Sequence, residues 1–233
     1  MIMAVSSKLM PAAALAVVLT SCGGKDPAHE AAPKPASPSA TPSKPSETPD
    51  GRPVIAAFGD SISAGFGLDP GQSYPDDLQR LIDAAGYRYR VANLGVSGDT
   101  TTDGVERLPT ALALKPAIVI LEFGANDGLR GQPVSVAQTN LARMIEALKG
   151  QGSAVVLAGM TLPRNYGPEY IKPFEQMYVD LAKQYAVPRI PFLLEGVGGV
   201  PSLTQPDGLH PTAEGARIVA RTAMRYLTPL LKH

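Results

Sequence analysis

Between Val54 and Phe192, five short apolar runs recur with longer amphipathic stretches between them: VIAAF (54 to 58), YRVAN (89 to 93), AIVILEF (117 to 123), AVVLAGM (154 to 160) and VPRIPF (187 to 192). Successive side chains of a strand point to opposite faces, so a run that is apolar at nearly every position suits a strand covered on both sides, as in a parallel sheet. The stretches between carry helical spacing. Leu78, Leu81, Ile82 and Ala85 precede Gly86; Leu141, Met144, Ile145 and Leu148 precede Gly150; Phe174, Met177, Tyr178, Leu181 and Tyr185 follow the same rhythm. Both glycines fit helix C-terminal positions. A last helix is expected from about Thr212 to Leu231, with Pro211 suited to its first turn. Strand alternating with helix predicts a three-layer α/β/α sandwich around a five-stranded, mostly parallel sheet. No internal repeat is visible.

This domain, 54–233, is preceded by a different kind of sequence. Residues 1–21 place Lys8 ahead of LMPAAALAVVL (9 to 19), an apolar stretch too short to span a bilayer stably, followed by small residues; this is the form of an export signal. The chain's one cysteine, Cys22, closes LTSC, which resembles the lipobox of bacterial lipoproteins, where the signal peptide is cleaved and the thiol lipidated. From Gly23 to Pro53 there is no Val, Ile, Leu, Met, Phe or Tyr, and proline recurs among Ala, Ser, Thr and Lys. Such a segment cannot bury enough apolar surface to offset its ordering entropy, so 22–53 is expected to be a disordered tether. The expectation is an exported protein of a bacterial cell envelope, held to a membrane by an N-terminal lipid. In a Gram-negative host, Gly23 rather than Asp after the cysteine implies the outer membrane.

Several partners are disfavoured. A formal net charge of zero gives no electrostatic footprint for nucleic acid. One cysteine cannot form an internal disulfide or a multi-thiolate zinc site, and the three histidines, His29, His210 and His233, are too scattered for a His-rich metal centre. Neither a metal nor another cofactor is expected, and nothing in the sequence fixes the oligomeric state.

In a doubly wound sheet, ligands bind outside the carboxyl ends of the strands. After the first strand stands GDSISAG (59 to 65), after the second LGVSGDTT (94 to 101), after the third GANDGLRG (124 to 131), and PDGLHP (206 to 211) precedes the last helix. Taken singly, each has a plainer role. Ser61 could cap a helix, Gly98 could serve a turn that needs positive φ, Asn126 lies in ordinary turn chemistry, and Asp207 could bond its own backbone. His210 is different, being the one histidine well placed in the folded body, with a carboxylate three residues before it. Nucleophilic acyl transfer needs a hydroxyl, a neutral imidazole to take its proton, a carboxylate to fix the tautomer, and donors for the oxyanion. Ser61, His210, Asp207, Gly98 and Asn126 supply those parts. The nucleophile elbow G-x-S-x-G is absent, which disfavours an ordinary α/β-hydrolase.

The four blocks resemble those of the GDSL, or SGNH, hydrolase family, and most of all its bacterial thioesterase I/lysophospholipase L1/arylesterase group. GDSISAG is similar to the first block, with Ile62 where Leu is usual; NLGVSGDTT, GANDGLRG and DGLHP match the others, and LPRNYGPEY (162 to 170) resembles the loop after the fourth strand. The resemblance runs through 54–233 in order and spacing. It implies a flavodoxin-like fold, Ser61 as nucleophile, His210 as general base and then acid, and Asp207 as orienting carboxylate. The Ser61 and Gly98 N–H groups and the Asn126 amide would then form the oxyanion hole. The implied activity is cofactor-free hydrolysis of carboxylic esters or thioesters through an acyl-enzyme, on aryl esters, lysophospholipids or acyl thioesters. Loops 127–132 and 161–170 are expected to line the acyl site. The competing expectations are a carbohydrate O-acetyl esterase of the same family and, from another class, a non-catalytic surface binding lipoprotein.

Overall fold

All five apolar runs are strands. The computed structural model describes residues 51–233; the expected signal segment, Cys22, His29 and nearly all of the tether lie outside the described residues. In chain order the main elements are β1 (Val54–Gly59), α1 (Ser61–Ala64), α2 (Tyr74–Ala84), β2 (Arg90–Asn93), α3 (Thr101–Ala113), β3 (Ile118–Glu122), α4 (Ala125–Leu129), α5 (Val134–Gly150), β4 (Ala154–Ala158), α6 (Pro168–Tyr185), β5 (Arg189–Ile190) and α7 (Ala213–Leu227). The strands form one sheet in the order β2-β1-β3-β4-β5. Every pairing is parallel, so the sheet is wholly rather than mostly so.

The helices cover both faces, with α2 packed on α7 and α5 packed between α3 and α6. Ile55, Phe58, Ile120, Leu121, Val156 and Leu157 are fully buried between these layers. That two-sided cover explains why the central strands read as unbroken apolar runs. β5 is only two residues long. Pro188 and Pro191 bracket it and carry no N–H for the ladder.

Helix ends depart from expectation in detail. Gly86, at φ +79°, follows the C-cap Ala85 as foreseen, but Gly150 is still helical and Gly152, at φ +96°, makes the turn. Pro211 stands outside α7, in a bridge with Thr204, and Thr212 is the N-cap, accepting the Gly215 N–H at 3.2 Å. α7 ends at Leu227, followed by a 3-10 turn over Thr228–Leu230. The sequence reading did not find α3. Its buried face is Thr101, Gly104, Leu108 and Ala111, with Pro109 inside it, so the large apolar side chains that mark a helix are mostly missing. Gly104 is small because a Cβ there would sit 3.0 Å from the Phe123 ring and 3.1 Å from the Met144 sulfur.

Candidate active site

The strand order reverses direction between β1 and β3, and the loops after these two strands face each other across that point, where a doubly wound sheet binds its ligands. β1 runs directly into α1, a single turn. Asp60 caps it, its Oδ1 accepting the Ile62 N–H at 3.0 Å, and Ser61 is its first residue, 9% exposed. Gly59 pairs in register with Glu122. A Cβ on Gly59 would lie 2.2 Å from Glu122 Oε2 and 2.4 Å from Ser63 Oγ, so only glycine lets that carboxyl pass beneath the turn.

The loop before α7 brings the histidine over. Its ends are joined by the Gln205 N–H bond to the His210 carbonyl at 2.7 Å, and the Gln205 side chain donates to the Phe66 carbonyl at 2.7 Å and the Pro211 carbonyl at 2.9 Å. Asp207 Oδ1 accepts the backbone N–H groups of Leu209 and His210 at 2.9 and 3.0 Å. Its Oδ2 lies 2.6 Å from His210 Nδ1, and His210 Nε2 lies 2.8 Å from Ser61 Oγ. An ionised carboxylate accepts only, so Nδ1 carries the proton and Nε2 is left to accept from the serine hydroxyl. Burial raises the Asp207 carboxyl, but the bonds from the His210 ring, the two N–H groups and the His210 charge outweigh it, and the net position is below the usual carboxylate range. The Phe66 ring packs against the imidazole, centroids 4.6 Å apart.

Asn126 lies in α4 rather than in a turn. Its Nδ2 donates to Asp60 Oδ2 at 3.0 Å and to the Asp99 carbonyl at 2.9 Å. Gly98, at φ +87°, precedes that carbonyl, and its own N–H has no acceptor among the described residues. The structure thus places Ser61, His210 and Asp207 in one line of hydrogen bonds and ties Asn126 to the segments carrying Ser61 and Gly98.

A cavity of about 490 Å³ opens from Ser61, Asn126 and His210. Its far walls are largely apolar, with Leu129, Met160, Leu162, Phe192, Leu194 and Leu209. The expected loops contribute Leu129 and residues 161–164, but the segment 192–199 also lines it and carried no motif. Sequence reasoning also missed Arg107, which donates to Asp99 Oδ2 at 2.5 Å, to the Leu94 carbonyl at 3.0 Å and to the Gly59 carbonyl at 3.1 Å, joining the turns after β1 and β2. Its guanidinium lies over the Phe58 ring at 5.1 Å. Arg130 similarly donates to the Gly98 carbonyl at 2.8 Å. Asp60 and Glu122 were missed as well. The signal for Glu122 was a single acid at the end of an otherwise apolar strand.

Behind the nucleophile these two carboxyls form a buried pair. Burial is the main cause raising both, to about 6 at Asp60 and well above the ordinary glutamate range at Glu122, where the Asp60 charge adds to the effect.

This serine, histidine and aspartate at the switch point of a parallel sheet, with no nucleophile elbow, define a class of hydrolases, and comparison with known proteins gives the same class. The GDSL-like Lipase/Acylhydrolase family matches residues 57–218. Esterase TesA of Pseudomonas aeruginosa is 45% identical over 179 residues, covering 76% of this chain and 89% of that protein. Thioesterase 1/protease 1/lysophospholipase L1 of Escherichia coli K12 is 37% identical over 182 residues, covering 77% and 86%. The crystal structure of TesA superposes with a TM-score of 0.74 at 44% identity, covering 76% of this chain and 99% of that one. The chain belongs to the GDSL-like lipase/acylhydrolase family and is an ester hydrolase.

Proposed function

We propose that the protein cleaves carboxylic esters of acyl chains, lysophospholipids and aryl esters among them, and acyl thioesters where it meets them, through an acyl-enzyme on Ser61. His210 takes the Ser61 proton as the hydroxyl attacks the carbonyl, and Asp207 steadies the imidazolium. His210 then protonates the leaving alcohol or thiol, and water repeats the cycle to release the acid. The developing oxyanion is met by the Ser61 and Gly98 N–H groups and the Asn126 amide. The observation that carries this reading is the hydrogen-bonded line of 2.6 and 2.8 Å ending at a serine that opens into an apolar cavity. An acyl chain fits such walls better than the hydroxyls of a sugar. The competing substrate class, acetylated carbohydrate, draws on an acetylxylan esterase of Xylanibacter ruminicola that is 28% identical over 204 residues, of which this chain covers 41%.

The test is hydrolysis by the full chain of p-nitrophenyl esters from acetate to palmitate, beside lysophosphatidylcholine and acetylated xylan, with fluorophosphonate labelling mapped by peptide. Labelling at Ser61 and turnover that rises from acetyl to longer acyl esters are expected; activity confined to acetylated xylan overturns the substrate class. The proposal extends to location, on the N-terminal sequence alone: export, cleavage before Cys22, lipid attachment there, and residues 23–53 as the tether. Labelled palmitate should enter the wild type but not Cys22→Ser in a bacterium with lipoprotein machinery, and its absence from both removes the anchor.

A further inference from the structure

The buried acid pair beneath Ser61 has a feature that the proposed chemistry does not use. The two oxygens of Glu122 are unlike. Oε2 accepts two hydrogen bonds, from the Asp60 N–H at 3.1 Å and from the Ser63 hydroxyl at 2.8 Å, and the Tyr74 hydroxyl stands 3.1 Å behind Ser63. Oε1 receives no donor at all, although the residue is fully buried, and it is the one such side-chain atom among the described residues. An ionised carboxylate in that position would bury charge on an oxygen with nothing to offset it, which is among the most unfavourable arrangements in a protein interior. A carboxylic acid meets no such difficulty, because Oε1 then carries a hydrogen and needs an acceptor. The Glu122 and Asp60 carboxyls share a side-chain hydrogen bond, which acts to raise Glu122 and to lower Asp60.

We infer that Glu122 is a neutral acid donating its proton from Oε1 to the Asp60 carboxylate, and that the pair are positioning residues for the Asn126 amide. Asp60 is the link. Its Oδ1 holds the turn carrying Ser61 through the Ile62 N–H, and its Oδ2 holds Asn126 Nδ2. Both Nδ2 hydrogens are engaged at rest, one on this carboxylate and one on the Asp99 carbonyl. A bond to a charged acceptor is roughly twice as strong as one to a neutral acceptor, so the hydrogen on the Asp99 carbonyl is the one that turns to an oxyanion while Asp60 keeps the amide in place. The Glu122 proton also leaves one negative charge, not two, behind a centre where another is about to form. Gly59 fits this account, since a side chain there would displace the acid.

The inference rests on the assignment of Asn126 as an oxyanion donor, but its first test does not. In the full-length protein near neutral pH, the infrared difference between wild type and Glu122→Gln should contain the C=O stretch of a protonated carboxyl. The band should be present equally in a Ser61→Ala background, whatever the reaction. Its absence overturns the inference. The second test is kinetic, on protein that still labels with a fluorophosphonate. Asp60→Asn should lower kcat by about 10- to 100-fold with KM unchanged, because one side-chain oxygen cannot serve both the turn and the amide. Glu122→Gln keeps an acceptor and a donor and should retain most of kcat, whereas Glu122→Leu should lose it. Wild-type kcat in Asp60→Asn, or equal losses in the Gln and Leu variants, would sink the positioning role. If instead Ser61→Ala still turns over, the functional reading fails and the infrared result stands by itself.

Discussion

Two hydrogen-bonded systems meet at Ser61, and they are built in opposite ways. The Ser61–His210–Asp207 line runs from a buried serine at the start of α1 out to the surface loop before α7, where the Asp207 side chain is 37% exposed, and its members span almost 150 residues of sequence. The system of Asp60, Glu122, Ser63 and Tyr74 sits at the ends of β1 and β3 and the starts of α1 and α2, and all four residues are buried. The difference fits the roles proposed for the two systems. A group that exchanges protons with substrate and water needs solvent access, while a group that only holds others in place works best where water cannot compete for its bonds.

The contrast makes graded predictions. Ser61→Ala should remove turnover almost entirely, a loss on the order of 10⁶-fold by analogy with catalytic serines elsewhere, with thermal stability near wild type because the side chain loses one part-buried bond, to His210. A variant that unfolds would place Ser61 in the buried system instead. Asp207→Asn should cost about 10⁴-fold in kcat, as an amide can favour the wrong imidazole tautomer. Asn126→Ala should cost on the order of 100- to 1,000-fold, in kcat rather than KM when acylation limits the rate. Wild-type kcat from folded Asn126→Ala on a short aryl ester would reduce Asn126 to a structural role.

The smallest expected effect is on stability. Glu122 is shifted upward by burial, so its contribution is fully present below the ordinary glutamate range and is lost as pH rises through its raised value. Asp60 acts in the same sense between its ordinary 3.8 and about 6. Asp207 is shifted downward and acts oppositely, its contribution being lost as pH falls. Denaturant midpoints at about pH 5 and about pH 8 should therefore drop more for wild type than for Glu122→Gln, which has no proton to lose. Parallel curves would mean that Glu122 keeps one ionisation state throughout.

The same contrast governs what could be read in advance. Ser61, Gly98 and Asn126 stood out as candidates because each stands in a polar block just after an apolar run, and Asp207 and His210 because they share a short block just before the last helix; the structure joins Ser61, His210 and Asp207 by hydrogen bonds. The strands were legible for the same periodic reason. Asp60 was hidden inside the nucleophile block as a helix cap, and Glu122 was hidden by the apolar strand around it. Their meaning depends on the register that sets Gly59 opposite Glu122, a long-range fact with no local trace. Helix α3 was hidden because close packing on Phe123 and Met144 demands small residues, so the surface that buries it lacks the usual apolar pattern. Residues 192–199 line the cavity through a run of turns after β5, which Gly196 and Gly199 mark as turns by composition but which holds no side chain that would announce a binding site.

The proline-bracketed strand β5 has a consequence for how copies of the chain meet one another. A sheet's outer strand offers unpaired N–H and C=O groups on which a strand from a second molecule can build, and longer, flatter edges do so more readily. Here the outer strand ends after Ile190, and Pro188 and Pro191 supply no donors to either side of it. Only a residue or two of ladder is open to an intruding chain. The shortness of β5 therefore guards its edge of the sheet, β2 forming the other, against pairing with a second copy, and lengthening it by replacing both prolines with valine would expose that route.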